Sequence, residues 1–439
     1  MSKITINDPI LTKNRLTSKV IVSKDLEKFI KTDNLFIEYD TDIDVDESLL
    51  NLPLTAALLP LAWLAGADVH VGSLDKRFKV SMDQLQQKFH EIYPLGQFIT
   101  KIQVEELKEN KVGEIDPKNR TGLFFSGGVD STYSLITNLE LNPRLIMIWG
   151  IADFPYPERA DHWEKHISTC KSYAEKKNLE INIVKTNMSQ IVDYHRIDHR
   201  FHRELYDGGL RYALQHTLML LPIAAPLSIG RFDHVLFPAS DHIGITDQKK
   251  TPRASVPELD EMIVWADLNV KHDGYIVRNH KIFGAIADYL KNEDLTINVC
   301  VRSVLVNGKV NCSQCEKCLR TIAPLVLSGF DPNKLGFTVD ESTFETIRSL
   351  WSNRKLHGSN NHWVSLRDAI PDEIQDDFYG SKEFFEWFRN YDFRSVEKNW
   401  FWLDLYMNLP YQIAHYLDMV YYKLGIKIHD GPYNRAEKT

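Results

Sequence analysis

Between residues 121 and 330 the chain alternates short apolar runs with longer stretches of helical periodicity, and this alternation limits its fold more than any other feature. Runs of strand length lie at 123–125, 144–150, 181–185, 235–238 and 296–301, and helical stretches at 129–139, 158–177, 205–227, 257–267 and 279–290. Strand-helix-strand succession favours parallel pairing, with helices on both faces of the sheet and right-handed crossovers. We therefore predict an α/β domain with a parallel sheet over residues 121–330.

Two blocks of different character flank this region. Residues 1–115 contain a strand pattern at Leu35–Tyr39 and a helical pattern at Leu49–Leu64, which together predict an α+β N-terminal domain. The polar stretch 106–120 is typical of a linker. Residues 331–439 are rich in Trp, Phe and Tyr and carry helical patterns, so we predict a helical C-terminal region.

Composition restricts the class of protein. The chain has 439 residues, 43% of them hydrophobic and 26% charged, with a net charge of −8, so we expect a soluble protein that does not bind nucleic acid. The first residues lack the apolar core of a secretory signal, and the apolar run Leu52–Ala67 is short for a membrane span and contains two prolines. We predict a cytoplasmic location and consider a homodimer. The apolar stretch Leu409–Leu424 predicts a core helix, or else a helix for a membrane surface or partner.

The segment Ser126-Gly-Gly-Val-Asp-Ser131 directly follows the first apolar strand of the central block. Gly127 and Gly128 permit backbone angles that a Cβ would forbid, and they leave the backbone N–H groups accessible. Together with the first N–H groups of the following helix, these donors favour a bound anion such as phosphate. The hydroxyls of Ser131 and Thr132 add donors, so we predict a phosphate site at Ser126–Thr132.

Asp130 is the unusual member of this segment, because a carboxylate repels phosphate. It is explained either as a helix cap or as a ligand of Mg²⁺ that bridges to the phosphate. No lysine follows the glycines, so the segment is not the G-x4-G-K-[ST] loop of other nucleotide-binding proteins. The alternative to a phosphate site is an ordinary strand-turn-helix connection with a Ser or Asp cap.

Four of the five cysteines fall within 19 positions, as Cys300-x11-Cys312-x2-Cys315-x2-Cys318. In a cytosolic chain such a cluster indicates a metal site before it indicates disulfides. Four thiolates suit tetrahedral Zn²⁺, and an iron–sulfur cluster is the other metal centre that this spacing allows. The fifth cysteine, Cys170, shares a helical face with Trp163 and Ile167, which is typical of a core residue.

The SGGVDS segment resembles the signature of the PP-loop ATP pyrophosphatases, whose domain has the adenine nucleotide α-hydrolase-like (HUP-like) fold. The resemblance implies that ATP is cleaved between its α- and β-phosphates, that the loop holds pyrophosphate, and that AMP is transferred to a substrate oxygen. It also implies Asp130 and Ser131 as catalytic residues, with ATP and Mg²⁺ as ligands.

Within that superfamily, the central block is similar to 7-cyano-7-deazaguanine synthase over about 200 of the 439 residues. The segment from Asn311 to Arg320 resembles the structural zinc site of that family, which implies a zinc knuckle here. The family also has a lysine that approaches the phosphates, and Lys281 matches it. The substrate segments of the synthase are replaced here by other residues around Phe237–His242 and Thr251–Pro257, so the resemblance supports the activation chemistry without the deazapurine substrate.

Strand order gives an expectation for the remaining site residues. Ligands of open α/β sheets bind beyond the carboxyl ends of the strands, where the strand order reverses. We therefore expect adenine near Trp149, Gly150 and Ile151. The acceptor is then expected beside the polar groups that follow the third and fourth strands, and arginines there would suit an anionic acceptor. The predicted acceptor residues are Arg200, Arg203, Asp241, His242 and Arg253. His195 and His199, four residues apart, leave a metal site open as an alternative.

These observations predict an ATP-dependent, ligase-like enzyme that adenylates a carboxylate, amide or carbonyl oxygen for attack by a nitrogen nucleophile. The expected partners are a small anionic or carbonyl-containing acceptor and an amine or ammonia. We keep two alternatives: an enzyme that thiolates or amidates tRNA, against which the net charge of −8 argues, and a non-catalytic nucleotide-binding scaffold, against which Asp130, Ser131 and Lys281 argue.

Overall fold

The protein was analysed as a computed structural model that describes residues 2–151, 156–206, 209–242, 252–277, 279–293, 295–353, 360–374, 377–393 and 408–423. The strands are β1 (Lys3–Ile6), β2 (Ile10–Thr12), β3 (Arg15–Val22), β4 (Asn34–Tyr39), β5 (Asp68–Asp75), β6 (Ile102–Lys108), β7 (Thr121–Phe124), β8 (Arg144–Trp149), β9 (Ile181–Thr186), β10 (His234–Pro238) and β11 (Asn269–Asp273). The helices are α1 (Glu47–Ala65), α2 (Lys76–Ile92), α3 (Val129–Thr137), α4 (Ala160–Lys176), α5 (Tyr194–Arg200), α6 (His216–Leu220), α7 (Ala225–Ser228), α8 (Pro257–Asp260), α9 (Asn279–Leu290), α10 (Glu316–Leu327), α11 (Ser342–Ser352), α12 (Asn360–Asp368), α13 (Ser381–Phe388) and α14 (Tyr411–Lys423).

The predicted α/β class is confirmed, with one large mixed sheet that is mostly parallel. Its strand order is β11-β10-β7-β8-β9-β4-β3-β1-β5-β6, and β2 pairs with β3. The five strands of the central block, from β11 to β9, all run parallel. Chain order reverses on either side of β7, because β8 lies on one flank and β10 on the other. The loop after β7 therefore leaves the sheet at its topological switch point.

The sheet continues from the central block into the N-terminal block. Strand β4 pairs antiparallel with β9, and Ile37 lies opposite Thr186. Helix α1 packs against α6 and α7, and one continuous hydrophobic core contains residues from both blocks. The buried Tyr39 hydroxyl donates to the Ile223 carbonyl at 3.1 Å across the same junction. The domain boundary near residue 115 stays a prediction, and the sheet and this core both cross it.

Helix α1 is the one helix among the described residues with the length and apolar composition to cross a membrane. Within the fold, 94% of its apolar window is buried. Its N-terminus is capped by the Asp46 side chain, which accepts from the Ser48 backbone N–H, and Gly66 ends it in the left-handed conformation. The buried sides of α1 contact the sheet and neighbouring helices, so it is a core helix of this structure.

The strand predicted over Thr296–Val301 is not formed, and β11 at Asn269–Asp273, which we did not predict, is the edge strand instead. The segment 295–300 is largely buried, but its backbone hydrogen bonds with Asn311 are made to a side chain instead of a neighbouring strand. The Asn311 Oδ1 accepts from the Val299 N–H at 3.0 Å, and its Nδ2 donates to the Ile297 carbonyl at 2.6 Å. The apolar pattern of this segment correctly predicted that it is buried. It could not predict the hydrogen-bond partner, because that partner is a single side chain and hydrophobic periodicity carries no information about it.

The single helix predicted over 205–227 is broken into short pieces. A π-helical turn at Arg211–Gln215 leads into α6, and a 3-10 turn at Leu221–Ala224 separates α6 from α7. Pro222 and Pro226 lack the N–H that an uninterrupted α-helix requires, which accounts for the second break. The helix predicted over 257–267 is likewise only the short α8.

The predicted helical character of the C-terminal block is confirmed for its described part. Helices α11, α12 and α13 enclose an aromatic core in which the rings of Trp351 and Trp363 meet edge to face at 5.6 Å. Helix α12 also packs against α9 and α10 of the central block. This contact places residues from beyond position 360 beside the carboxyl end of the central sheet.

We predict that Leu58→Ala lowers the free energy of unfolding by about 2–5 kcal/mol, because Leu58 is fully buried in the core that both N-terminal and central blocks share. Leu107→Ala is the matched control, because Leu107 is 48% exposed on the edge strand β6, and we expect a change within about 0.5 kcal/mol. Chemical denaturation followed by fluorescence and by circular dichroism measures both. If Leu58→Ala shifts an early transition and leaves a later one in place, the two blocks unfold separately and the shared core is not one cooperative unit.

Candidate functional site

The loop between β7 and α3 is built around Gly127. Its φ of +67° lies in the left-handed region. A Cβ at this position would stand 2.4 Å from Cε1 of His166, closer than any packed structure tolerates. The loop ends where the Thr132 N–H donates to the Gly128 carbonyl at 3.0 Å and α3 begins. Glycine is therefore required at 127 both by the backbone angle and by the close approach of His166.

The hydroxyls of the loop contact its own backbone. Ser131 Oγ accepts from the Ser126 N–H at 3.2 Å, and Ser126 Oγ accepts from the Gly128 N–H at 3.3 Å. The two hydroxyl oxygens lie 3.1 Å apart. These bonds are long, so an anion with stronger acceptors could replace them at little cost. By contrast, the hydroxyl of Thr132 is fully buried and has no hydrogen-bond partner among the described residues.

Two groups from elsewhere in the chain hold the carbonyl oxygens of the loop. His166 on α4 donates from Nε2 to the Ser126 carbonyl at 2.9 Å, and the Asn298 N–H donates to the Gly127 carbonyl at 2.7 Å. Burial lowers the pKa of His166 to about 4, so the ring is neutral and its proton sits on the nitrogen that faces the carbonyl. With the carbonyls turned to these donors, the loop presents N–H groups on its other side.

Sequence reasoning missed both supports. His166 lies on the same helical face as Trp163 and Cys170, and that pattern is typical of a core position. Cys170 is itself fully buried, and burial raises its thiol pKa to about 12. Asn298 lies in a segment that was predicted as a sheet strand. The one feature of the sequence that could have indicated these roles is that His166 and Asn298 are polar residues within otherwise apolar patterns.

The charges of groups from two other parts of the chain act on Asp130. Burial raises its pKa to about 6; the charges of Lys317 and Arg320 on α10 oppose this rise, and the charge of Asp241 adds to it. The loop after β7, the residues after β10 and the helix of the cysteine cluster therefore converge on one region. Sequence analysis predicted Asp130 and Asp241 there and missed Lys317 and Arg320, which follow cysteines in a motif interpreted only as a metal site.

Asp241 is paired on both sides. Its Oδ2 is 3.8 Å from Nε of Arg253, and its Oδ1 is 3.5 Å from Nε2 of His362 on α12. Next to it, Nε2 of His242 is 3.5 Å from Oγ of Ser365 on the same helix. The structure thus brings the predicted residues Asp241, His242 and Arg253 together. It adds a helix of the C-terminal block, for which the sequence suggested no role.

His362 is neutral in this setting. Burial is the main cause that lowers its pKa to about 4, and the charge of Arg320 adds to that effect, whereas the hydrogen bond with Asp241 opposes it. A neutral imidazole beside a carboxylate can accept a proton from a bound molecule. The region therefore contains carboxylates, cations and a neutral base whose charges act on one another.

Three other residues predicted for the site are not seen in contact with the Ser126–Thr132 loop among the described residues. Lys281 is exposed in the first turn of α9, which packs against α3. Arg200 pairs with Glu204 at 3.4 Å, and Arg203 donates to Asn408 at 2.6 Å. In the described part of the chain, neither arginine makes a hydrogen bond or ion pair with the Ser126–Thr132 loop. Their roles stay predictions.

The predicted adenine position lies at the carboxyl end of β8. Trp149 and Ile151 are buried, and Trp149 stacks on Trp163 with ring centroids 5.6 Å apart. Gly150 has φ +117°, and a Cβ there would lie 1.6 Å from the Thr186 carbonyl oxygen. These residues lie beside β7, because β8 pairs with β7 in the sheet. Their role in binding adenine stays a prediction.

The pair His195 and His199, considered as a metal site, contacts the C-terminal helix α14. The His195 ring lies 5.2 Å from Tyr411 and 4.9 Å from His415, measured between centroids. Among the described residues, the group whose ligand atoms converge as a metal requires is the cysteine cluster instead.

The four cysteines come together as predicted. Their sulfur atoms all lie within 4.8 Å of one another, and each residue is at least nine-tenths buried. Sulfurs bound to one tetrahedral Zn²⁺ at about 2.3 Å are about 3.8 Å apart, and Cys312 Sγ and Cys318 Sγ are 4.0 Å apart. The cluster can therefore bind a metal such as zinc.

The charges of the thiols also favour a cation. Hydrogen bonding within the cluster, first of all with Cys300, lowers the pKa of Cys312 and raises those of Cys315 and Cys318. Four neighbouring thiolates cannot all carry charge in a buried site unless a metal ion compensates them. The spacing also suits one ion better than a cluster of several irons, which would stand between the sulfurs and hold them further apart.

Comparison of the chain with protein-family models, with curated proteins and with solved structures finds no match. The resemblance of its motifs to the PP-loop enzymes therefore rests on the residues themselves.

We expect Gly127→Ala to destabilise the protein more than Gly308→Ala does. Both glycines have a left-handed backbone, φ +67° and φ +74°, but a Cβ at 308 meets nothing within 4 Å. The backbone angle costs about 1–2 kcal/mol at either position, and the overlap with His166 adds about 1–3 kcal/mol at 127 alone. Equal losses in thermal or denaturant unfolding would show that His166 does not press on the loop.

We expect one metal ion per chain, and we expect Cys318→Ser to lose it and to lower the melting temperature. Cys170→Ala is the control, because Cys170 is equally buried but lies outside the cluster, so its metal content should equal that of the wild type. Elemental analysis of purified protein measures both. Full metal content in Cys318→Ser would contradict the assignment, and a brown, iron-containing wild type would replace zinc by iron.

Proposed function

We propose that this chain is an enzyme that cleaves ATP to AMP and pyrophosphate and uses the AMP to activate an acceptor oxygen for attack by a nitrogen nucleophile. The observation that carries the proposal is the position of Asp130. It stands in a glycine loop at the topological switch point of a parallel sheet, where the charges of two cations and of a second carboxylate act on its pKa. Nothing in an ordinary strand-turn-helix connection requires that convergence.

The loop supports the proposal by its donors. The carbonyls of Ser126 and Gly127 are bonded to His166 and Asn298, and the N–H groups of Ser126 and Gly128 make only long bonds to the loop hydroxyls, which an anion could replace. Lys317 and Arg320 supply positive charge that acts on Asp130. A pyrophosphate leaving group develops negative charge as it departs, and donors that are already in place stabilise it without rearrangement.

Asp130 and Asp241 fit a divalent cation. Burial is the main cause that raises the pKa of Asp130, and the charge of Asp241 adds to it, so a bound cation would relieve both effects. Oxygen ligands of this kind suit Mg²⁺. Bound Mg²⁺ would neutralise charge on the phosphates and orient them. The residues that would hold it are Asp130 and Asp241, with the buried Thr132 hydroxyl nearby in the loop.

The chemistry proceeds in two steps that balance. An acceptor carboxylate, amide or carbonyl oxygen attacks the α-phosphorus, and pyrophosphate leaves with the electrons of the broken bond. The nitrogen lone pair then forms a C–N bond, the C–O bond breaks, AMP leaves with its electron pair, and the nitrogen loses a proton. Neutral His362 beside Asp241 is suited to take that proton.

The acceptor belongs on the side of Asp241, His242 and Arg253. The exposed Arg253 guanidinium can contact an anionic group while it remains near Asp241. Helix α12 closes this side with His362 and Ser365, so acceptor choice rests partly with the C-terminal block. Arg200 and Arg203, proposed from sequence for the same role, have their described contacts with Glu204 and Asn408 instead.

We expect Asp130→Asn to abolish ATP turnover, because the amide keeps the shape of the side chain and removes the charge that would bind Mg²⁺. Asp288→Asn, on the exposed surface of α9, is the control and should retain full activity. The assay supplies ATP, Mg²⁺, ammonia and a panel of carboxylic acids, and separates AMP from ADP by chromatography. Release of ADP, or wild-type activity in Asp130→Asn, would overturn the proposal.

The free energy of unfolding of the wild type should depend on pH, relative to that of Asp130→Asn, because only the wild type carries the Asp130 carboxyl group. The pKa of Asp130 rises from the ordinary 3.8 to about 6 on folding, so the folded state holds its proton more tightly than the unfolded state. Wild type therefore loses stability relative to Asp130→Asn as pH rises from about 4 to 6, by at most about 3 kcal/mol, and the difference is constant above that range. Melting temperatures across pH measure this. A constant difference at all pH values would mean that Asp130 is not buried as a charge.

A further inference from the structure

The side chain of Asn298 is buried and unsatisfied. Asn298 is 7% exposed, and neither Oδ1 nor Nδ2 has a hydrogen-bond partner among the described residues. Leaving a buried amide without partners costs folding free energy, and native structures rarely keep such a group without a use for it. The neighbouring Asn311 shows the contrast, because both ends of its amide are bonded to the backbone of the same segment.

The backbone of Asn298 touches the glycine loop. Its N–H donates to the Gly127 carbonyl at 2.7 Å, and its carbonyl oxygen lies 3.5 Å from the place where a Cβ of Gly128 would stand. Asn298 is therefore anchored at the two glycines whose N–H groups face the proposed anion. An amide fixed at this point is within a side chain's length of whatever the loop holds.

The direction of the side chain follows from its neighbours. Asn311 bonds the Ile297 carbonyl and the Val299 N–H together, so these two groups point the same way, as they do in an extended chain. The side chains of Ile297 and Val299 are buried in the hydrophobic core. In an extended chain successive side chains alternate, so the Asn298 amide points away from that core.

We propose that Asn298 is a ligand-binding residue of the glycine-loop site, with its Nδ2 donating to a phosphate oxygen of the anion held there. This inference rests on the proposed function and extends it to a residue outside the loop. The Oδ1 atom would accept a hydrogen bond from a hydroxyl group of the same ligand or from a water molecule bound beside it, because an ionised phosphate has only acceptor atoms. The stability that the unsatisfied amide forfeits in the free protein is thus recovered when the ligand binds.

The inference predicts opposite effects on stability and on binding. Asn298→Leu has nearly the same volume and removes the unsatisfied amide, so in the absence of ligand it should melt higher than wild type, by about 1–3 °C. It should also bind pyrophosphate and Mg-ATP at least about tenfold more weakly, which is the loss expected for one hydrogen bond to a charged group. A residue with a purely structural role would lose stability on the same change.

Asn311→Leu is the matched control, because it removes a buried amide of the same segment that is fully bonded. It should melt lower than wild type. Asn298→Asp is a second test variant that keeps the shape and places a negative charge beside the anion, so it should weaken pyrophosphate binding more than Asn298→Leu does. Isothermal titration with inorganic pyrophosphate and with Mg-ATP, and calorimetric melting without ligand, measure all four proteins.

Each outcome decides the question. Weaker binding with a higher melting temperature in Asn298→Leu supports the inference. Unchanged affinity for pyrophosphate and for Mg-ATP in both Asn298 variants overturns it while leaving the proposed function intact, provided the wild type forms AMP and pyrophosphate. If the wild type binds neither probe, the proposed function falls and this inference falls with it.

Discussion

The carbonyl oxygens of Ser126 and Gly127 must find donors, and the rest of the candidate site depends on which donors they find. A buried carbonyl without a partner is costly, so the chain supplies His166 from one side and the Asn298 backbone from the other. Once those two bonds are made, the orientations of the two peptide planes are fixed, and the N–H groups of Gly127 and Gly128, which belong to the same planes, point away from His166 and Asn298. Gly127 is the residue that can adopt the required angle with His166 so close.

The second of these donors connects the loop to the metal cluster. Asn298 precedes Cys300 by two residues, and Cys315 caps α10, which carries Lys317 and Arg320. A metal ion bound to Cys300 and Cys318 would therefore fix both a support of the loop and the helix that carries Lys317 and Arg320. The Glu316 carboxylate extends the same connection, because it accepts from Trp363 Nε1 at 2.9 Å and so ties α12 to α10. The four cysteines thus help to position Asn298 and α10 beside the glycine loop.

Sequence patterns correctly predicted the features of the fold that depend on neighbouring residues. Alternating apolar runs predicted the parallel strands, glycines predicted the turn, and cysteine spacing predicted the cluster, because each depends on residues close in sequence. The positions of His166, Asn298 and His362 depend on contacts over long separations. A histidine on a core-like helical face gives no sign that it will meet a carbonyl 40 residues away. The strand prediction for Thr296–Val301 is wrong for a different reason, because the hydrogen-bond partner of this segment is the side chain of Asn311 rather than a neighbouring strand.

The contact between α12 and the end of β10 has a consequence for the order in which the site is assembled. His362 and Asp241 are separated by more than a hundred residues, and the loop, the cysteines and β10 all precede α12 in the chain. During synthesis the earlier segments emerge and fold first. We therefore expect a nascent chain to complete its glycine loop and metal cluster while the side that closes over Asp241 is still missing. A ribosome-bound intermediate would then hold the candidate site open to water, and closure would come only with the last quarter of the polypeptide.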